Sequence, residues 1–298
     1  MKRRRYATPA AFKHALEQRL KSSSETGTAF ARRRQLLVFE RFLARVAEVA
    51  GDSVVLKGGL VLELRLTRAR TTRDIDLRMS GSSENVLERL QEAGRLDLGD
   101  YMRFEVRPDP SHPEIRTEAM QYDGFRFRAE CQLAGAIYGQ PFGVDVAFGD
   151  PLVGEVQLIV GEDLLAFAGI SPPRVQVYPV PSHIAEKLHA FTMPRERPNS
   201  RVRDLPDLAL LAKTGPIRGV ELRLALQRTF EFRQTHPLPP VVPAAPDLWE
   251  RPYAKLAEEN RLEWGTLRDL DAAVAAFLDP VLGAGLIGGW NPALWQWE

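Results

Sequence analysis

Asp74 and Asp76 are two carboxylate residues two positions apart, a spacing that suggests binding of a metal ion. In the run Asp74–Met79 polar residues alternate strictly with apolar ones, which predicts a strand with one polar and one buried face. Side chains two residues apart on a strand point the same way, and their Cα atoms are ~6–7 Å apart. Carboxylates at that spacing can share one Mg²⁺ or flank a metal pair. The run is therefore predicted to be a metal-binding strand, with a solvated polar face as the alternative.

A third carboxylate, Asp145, lies within the apolar run Phe142–Phe148. A charged residue in such a run needs a specific partner or function. If this run forms a strand beside the first one, Asp145 completes a triad with Asp74 and Asp76. The alternative is that Asp145 is paired with an arginine.

The tripeptide Lys57-Gly58-Gly59 lies between an apolar strand, predicted at 53–56, and a short helix, predicted at 60–66. Glycine lets backbone N–H groups approach a phosphate, and the N-terminus of a helix favours negative charge. Lys57 adds a cation or only marks the end of the strand. A glycine turn followed by a carboxylate strand is typical of a site that holds a triphosphate and its metal.

Lys187 lies on a helix predicted at 182–191, on the apolar stripe formed with Ile184 and Leu188. Because lysine is almost never buried without a partner, its ammonium is predicted to reach a triphosphate or a site carboxylate. The alternative is that it extends from the rim to solvent. Further on, Asp204 can be the N-cap of a helix, and Asp207 can either complement the helix N-terminus or orient Lys187.

Two histidines, His183 and His189, are predicted to pack on the helix or lie on its surface rather than bind metal, because no His or Cys spacing suggests zinc. The sequence also lacks the glycine-rich loop of a Walker-type ATPase.

The candidate site residues lie first on predicted strands and then on predicted helices. The predicted fold class is therefore α+β, with a mixed sheet followed by helices. A sheet domain with N-terminal helices is predicted at 1–180, and a helical domain that contributes Lys187 and Asp207 at 181–298. Further strands are predicted at 103–107, 124–133, 142–148 and, at a sheet edge, 175–180. Further helices are predicted as two within 9–50 and at 83–93, 205–212, 220–232, 252–260 and 266–278. The tryptophan-rich end is predicted to pack on the fold.

The composition is that of a globular protein, with 44% hydrophobic and 27% charged residues among 298. No apolar run approaches the ~18 residues of a membrane span, and no signal-peptide core is seen. Cys131 is the only cysteine, so an internal disulfide is impossible and a cytoplasmic location is expected. The net charge is +1, but basic clusters at 2–5 and 32–34 leave a nucleic-acid partner open.

The motifs Lys57-Gly58-Gly59 and Arg73-Asp74-Ile75-Asp76-Leu77 resemble those of the AbiEii/MenT nucleotidyltransferase toxin family, within the DNA polymerase β-like superfamily. Glu186-Lys187-Leu188-His189-Ala190 resembles the lysine motif of that family, and the segment ending in Asp207-Leu208 resembles its D-x-x-D-L motif. The resemblance runs from about residue 54 to 211. It departs at Leu60, where the family usually has Ser or Thr, so the turn must rely on backbone donors.

The resemblance implies a polymerase β-like fold, Mg²⁺ and transfer of NMP from NTP with release of pyrophosphate. The roles it implies are catalysis by Asp74, Asp76, Lys187 and Asp207, nucleotide binding by Lys57, Gly58, Gly59 and Lys187, and metal binding by Asp74, Asp76 and Asp145. It also implies a toxin of a type IV toxin–antitoxin system, with a separate antitoxin, that modifies tRNA 3′ ends. Transfer to a small molecule or protein, and an inactive nucleotide- or partner-binding scaffold, are the alternatives.

Thr72 shares the face of Asp74 if the strand begins early. Its phosphorylation would add about −1.5 to −2 charge beside the carboxylates, which would oppose NTP binding.

Overall fold

The computed structural model describes residues 6–66, 72–111, 113, 124–195, 201–283 and 288–298. The basic cluster at 2–5 and residues 67–71 lie outside the described residues. The helices are α1 (Pro9–Ser22), α2 (Gly27–Ala50), α3 (Gly58–Arg65), α4 (Val86–Arg95), α5 (Val180–Thr192), α6 (Asp204–Ala212), α7 (Gly219–Arg233), α8 (Glu250–Asn260) and α9 (Leu267–Leu282). The strands are β1 (Val54–Lys57), β2 (Asp74–Met79), β3 (Arg103–Pro108), β4 (Gly124–Leu133), β5 (Ala136–Ile137), β6 (Phe142–Phe148), β7 (Gln157–Val160), β8 (Arg174–Val177), β9 (Ile217–Arg218), β10 (Gly289–Asn291) and β11 (Gln296–Trp297).

A mixed sheet forms the first half of the fold, with strand order β3-β4-β6-β2-β1-β8-β7 and β5 paired to β4. The pairs β2–β6 and β1–β8 are parallel, and the other pairs of this sheet are antiparallel. The predicted α+β class with a mixed sheet is confirmed.

One face of this sheet is covered by α1, α2 and α4. The alternation in β2 sets the orientation, because Ile75 and Leu77 are fully buried in the same hydrophobic cluster as Phe42 of α2 and Leu90 of α4. The polar side chains of β2 therefore point to the opposite face.

The helices α5 to α9 bury a second hydrophobic cluster. Leu62 of α3 and Val153 belong to this second cluster, although both precede residue 181. The predicted tryptophan packing is confirmed, since the Trp290 ring lies 4.7 Å from that of Phe277 and its Nε1–H donates to the Ala212 carbonyl at 2.8 Å. Among the described residues, no helix is long and apolar enough to cross a membrane.

One strand prediction was wrong in its position. The strand predicted at 175–180 is not at the sheet edge, because β8 lies between β1 and β7. The edge is β7, a four-residue strand that the sequence analysis did not predict. The short strands β5, β9, β10 and β11 were also not predicted, and α4 begins at Val86 rather than at residue 83.

Candidate active site

Three carboxylates lie side by side on the open face of the sheet. The parallel register of β2 and β6 pairs Asp76 with Asp145 and Asp74 with Gly143. The condition under which Asp145 was expected to join the other two, that its strand lies beside theirs, is met. Because paired residues on adjacent strands share a face, the three predicted metal ligands lie on the same face of the sheet, on neighbouring strands.

Asp76 is the most deeply placed of the three carboxylates. Its burial and the neighbouring Asp145 raise its pKa to about 6, although the positive charges of Lys187 and Lys57 act in the opposite direction. A carboxylate held in this way beside a second negative charge is one that a cation would stabilise.

Gly58 lies directly against the Asp76 carboxylate. Its φ is +70°, a left-handed conformation, and a Cβ at this position would overlap the Asp76 carboxylate. Only glycine satisfies both conditions. The turn therefore brings the N-terminus of α3, with its free N–H groups, next to the carboxylate strand. Leu60, the third residue of that helix, is buried in the core and presents no hydroxyl group.

Asp74 is exposed and lies beside Gly143, whose N–H donates to Asp74 Oδ1 at 3.1 Å. A Cβ on Gly143 would lie 2.6 Å from the same oxygen. The absence of a side chain at Gly143 thus lets the Asp74 carboxylate lie flat against β6.

Asp145 is paired with an arginine, the alternative that the sequence left open. Arg126 of β4, which is opposite Asp145 in the register, donates to its two carboxylate oxygens at 2.8 and 2.7 Å. This bidentate hydrogen bond raises the pKa of Arg126 above its ordinary value. Arg126 was not predicted as part of the site, because the register of β4 on β6 cannot be read from the sequence.

Lys57, which was predicted to be a cation for the triphosphate or only to mark the end of the strand, lies in a buried ion network. Its ammonium is 2.6 Å from Asp150 Oδ2 and 3.2 Å from Glu186 Oε1. Arg233 also contacts Asp150 and Glu186, at 3.1 and 3.2 Å, and Tyr178 donates to Glu186 at 2.9 Å. Burial alone would raise the pKa of Asp150, but Lys57 and Arg233 hold it well below its ordinary value.

Lys187 lies in a second ion cluster, formed with α6. Its ammonium is 2.7 Å from Asp207 Oδ2 and 3.0 Å from Asp204 Oδ1, and its side chain is 11% exposed. It therefore does not extend from the rim to solvent. Asp204 is not an N-cap either, since the N-cap is Arg203 and the Asp204 carboxylate also pairs with Arg201. The positive charge of Lys187 acts on Asp76, which connects this cluster to the carboxylate strand.

The two predicted packing histidines are buried within α5. His183 has two buried ring nitrogens without a partner among the described residues, and burial lowers its pKa to about 3. His189 Nε2 lies 2.7 Å from Thr235 Oγ1, and burial likewise lowers its pKa to about 3.

Thr72 does not share the face of Asp74, because β2 begins only at Asp74. Thr72 is buried, and its N–H donates to Glu63 Oε2 at 2.9 Å. The geometric premise for its phosphorylation was therefore wrong.

The donor set fits Mg²⁺, which prefers oxygen ligands and is usually held by one or two carboxylates together with substrate phosphates. Within the described ranges no group of three His, Cys, Asp or Glu residues forms a metal cage on its own. Asp74 and Asp76 nevertheless share one face, and Asp145 lies beside them.

The chain matches one protein family and is similar to solved structures of nucleotidyltransferases. A family model described as nucleotidyl transferase AbiEii toxin, type IV TA system, matches residues 41–282. The chain is similar in structure to MenT4, a nucleotidyltransferase toxin from Mycobacterium tuberculosis H37Rv, with 16% identity, a TM-score of 0.46 and coverage of 74% of this chain and 69% of that one. It is also similar to JHP933 from Helicobacter pylori, with 18% identity, a TM-score of 0.44 and coverage of 83% and 93%. Among curated proteins no match is found.

Proposed function

Because the chain belongs to the AbiEii nucleotidyltransferase toxin family of type IV toxin–antitoxin systems, we propose that it transfers NMP from an NTP to the 3′ end of tRNA in a Mg²⁺-dependent reaction and thereby blocks translation. The family match confirms the resemblance drawn from the motifs, and it implies an NTP substrate and an antitoxin partner. The tRNA acceptor, the metal and the residue roles are our proposal, and a cytoplasmic location stays a prediction.

One observation carries the proposal. Asp74 and Asp76 lie on one strand with Asp145 paired beside them, and the Gly58 turn lies against Asp76. This arrangement combines oxygen donors for a divalent cation with backbone donors for a phosphate.

The residues that would hold Mg²⁺ are Asp74, Asp76 and Asp145, since each Asp145 oxygen keeps a second lone pair beside its hydrogen bond to Arg126. When bound, the metal would neutralise charge on the phosphates and orient them. An acceptor hydroxyl attacks the α-phosphorus. The new P–O bond forms as the bond between the α-phosphorus and the oxygen that bridges to the β-phosphate breaks, and pyrophosphate leaves with the electron pair of that bond. The hydroxyl proton passes to solvent or to a site carboxylate.

The chain contributes mainly position and charge to this reaction. We assign to the N–H groups of Gly58 and Gly59 the binding of the triphosphate, and to Lys187, held by Asp207, the neutralisation of its charge. Lys57 then acts through Asp150 and Glu186, by fixing the end of β1 from which the glycine turn begins.

The test is transfer of labelled NMP to total tRNA with each NTP in turn. We expect Asp74→Ala/Asp76→Ala to fold but to lose transfer by on the order of 10³-fold or more. Asp163→Ala, which removes an exposed carboxylate, should transfer at the wild-type rate. Full Mg²⁺-dependent labelling by the double variant would show that the site is elsewhere.

The position of the label distinguishes the acceptors. Label at the tRNA 3′ end supports the proposal. Label on a protein or a small molecule would replace the acceptor but keep the transferase site. No label with any NTP would favour an inactive scaffold that binds a nucleotide or a partner.

A further inference from the structure

Four arginines lie on the open face of β3 and β4, beside the candidate site. We call them the arginine face; they are Arg103, Arg107, Arg126 and Arg128. They alternate along their strands with the buried residues Phe104, Val106, Phe127 and Ala129, which point to the opposite face and pack into the core. All four side chains therefore point to the same side of the sheet as Asp74, Asp76 and Asp145.

This face is accessible in the part of the chain that the structure describes. Arg103, Arg107 and Arg128 are exposed, while the helices that cover the sheet, α1, α2 and α4, lie on its other side. Arg126 is already paired with Asp145, and the three other arginines outnumber Glu105 and Glu130, which share the face, by one. The face is therefore a net positive surface that continues to the carboxylates.

Two of the arginines are placed where their charges repel. Arg107 and Arg128 are directly opposite each other in the register of β3 and β4, and like charges in that position destabilise a sheet. Arg107 approaches Glu130 only to 3.8 Å, and Arg128 has no hydrogen-bond or ion-pair partner among the described residues. A bound anion would remove this repulsion, because a guanidinium binds phosphate oxygens through two parallel hydrogen bonds.

The position of Arg107 and Arg128 relative to the candidate site indicates which anion would bind to them. Arg128, Gly143 and Asp74 are aligned across three adjacent strands, and strands are about 4.8 Å apart, so the Cα of Arg128 lies roughly 10 Å from that of Asp74 and the Cα of Arg107 roughly 14 Å. The Gly58 turn belongs to β1 and α3, on the other side of β2. The turn is where we place the triphosphate. The arginine face lies on the opposite side of β2, next to the strand that carries Asp145.

We propose that the arginine face binds the phosphodiester backbone of the acceptor RNA and guides its 3′ end across β4 towards Asp145. This inference rests on the proposed function, since it assigns a path to the RNA acceptor. Arg126, which already holds Asp145, connects the path to the candidate site.

The test compares RNA binding by Arg107→Gln/Arg128→Gln with that of a control carrying the same change of charge, Arg251→Gln/Arg268→Gln. The control residues are exposed on α8 and α9. Binding of deacylated tRNA carrying a dye in its anticodon loop is measured by fluorescence anisotropy at several salt concentrations, and binding of a fluorescent NTP is measured separately.

We expect the arginine-face variant to bind tRNA about tenfold or more weakly at moderate salt. The slope of log K against log salt should fall in magnitude by about 1.4, because each lost contact to a single strand removes about 0.7. NTP affinity and the behaviour of the control should match the wild type.

The inference is wrong if the arginine-face variant keeps the wild-type tRNA affinity and salt slope. It is also wrong if NTP affinity falls as much as tRNA affinity, because the arginines would then bind the triphosphate. Labelling of tRNA by the wild-type protein reports separately on the proposed function. If the wild type labels tRNA and the variant binds it normally, only the arginine face has been misassigned; if the wild type neither labels nor binds tRNA, both proposals fail.

Discussion

Gly58 has a backbone conformation and a contact that together exclude every other residue type. Its φ is +70°, and the position of a Cβ is already filled by the Asp76 carboxylate. A side chain here would move Asp76, and the metal-binding geometry proposed above depends on where that carboxylate lies.

We therefore predict that Gly58→Ala lowers nucleotide transfer by roughly 10²-fold or more, because small displacements of positioned groups have effects of that size. The matched control is Gly99→Ala. Gly99 has a similar φ of +78° but nothing within 4 Å of its Cβ position, so it shares the backbone strain of about 1 kcal/mol without the collision. Equal activities of the two variants, measured by tRNA labelling, would contradict this reading of the turn.

Glu40 of α2 gives the protein a predictable dependence on pH. Burial raises its pKa to about 7, while the N–H of Glu162 opposes this by donating to Oε1 at 3.3 Å. In the unfolded chain the carboxyl group has an ordinary pKa near 4.3. Between these values the folded protein holds a proton that the unfolded chain has lost, so this residue makes stability fall as pH rises from about 4.5 to about 7.

Glu40→Gln removes this effect. We expect it to raise the free energy of unfolding at pH 8 by roughly 3–4 kcal/mol, since the pKa rises from about 4.5 to about 7 and one pKa unit corresponds to about 1.4 kcal/mol, and by about 1 kcal/mol or less at pH 5. Urea unfolding at both pH values measures the difference. Glu48→Gln, an exposed position on the same helix, serves as the control, and an equal gain at both pH values would count against the explanation.

The residues of the site differ in how far the sequence could predict them. Asp145 was found because a charge in an apolar strand is conspicuous, and the parallel register confirms its position beside Asp76. The partner of Lys57 could not be found, because Asp150 and Glu186 lie 93 and 129 positions away in sequence. Alternation reveals which face a residue occupies, but only the tertiary fold selects its partner.

At the scale of elements, the buried network of Lys57, Asp150, Glu186 and Arg233 joins the sheet to the helices. Lys57 ends β1, Asp150 follows β6, and Glu186 and Arg233 belong to α5 and α7. Asp150 is fully buried and accepts from both cations. Together with Glu186, which also contacts both cations, it allows two positive charges to be buried side by side.

Asp150→Ala should destabilise the protein by about 3–5 kcal/mol, the usual effect of breaking a buried ion pair and leaving a charge uncompensated. Glu259→Ala, which removes the exposed pair with Lys255 on α8, should cost less than about 0.5 kcal/mol. Chemical denaturation measures both values. A loss below about 1 kcal/mol for Asp150→Ala would mean that Glu186 alone compensates the two cations.

Elements with a strong pattern were predicted well, and weak ones were not. The bounds Asp74–Met79, Gly124–Leu133 and Phe142–Phe148 match the prediction, because each run has a clear alternating or continuous apolar pattern. The strand β7 has only four residues and is mostly exposed, so neither a buried face nor its length distinguishes it from a loop. Because β7 was not predicted, β8 was predicted to be the edge strand of the sheet.

At the scale of the molecule, the two hydrophobic clusters are coupled rather than separate. Leu62 of α3 is fully buried in the second cluster, whereas Leu60 and Val61 of the same helix are buried in the first. A short helix that contributes to both cores, together with the ion network, should make the sheet and the helices unfold together.

We predict a single heat-unfolding transition, with equal calorimetric and van't Hoff enthalpies. Leu62→Ala should lower the stability by about 2–5 kcal/mol through loss of packing and shift the whole transition without splitting it. Leu248→Ala, at a position that is 59% exposed, should change stability by less than about 0.5 kcal/mol. Two resolved transitions in the wild-type calorimetric trace would instead support independent domains at 1–180 and 181–298.

The parallel pairing of β2 with β6 also sets the order in which the site can form during synthesis. Asp74 and Gly143 make contact across 69 positions, and such long-range contacts form only after the entropy of closing a long loop has been overcome. Lys187 and Asp207 come later still in the chain. Since a ribosome adds about 5–20 residues per second, Asp74 and Asp76 exist for roughly ten seconds before Asp207 is made. If Lys187 and Asp207 have the roles proposed above, a nascent chain therefore cannot transfer nucleotide until about two thirds of it has been synthesised.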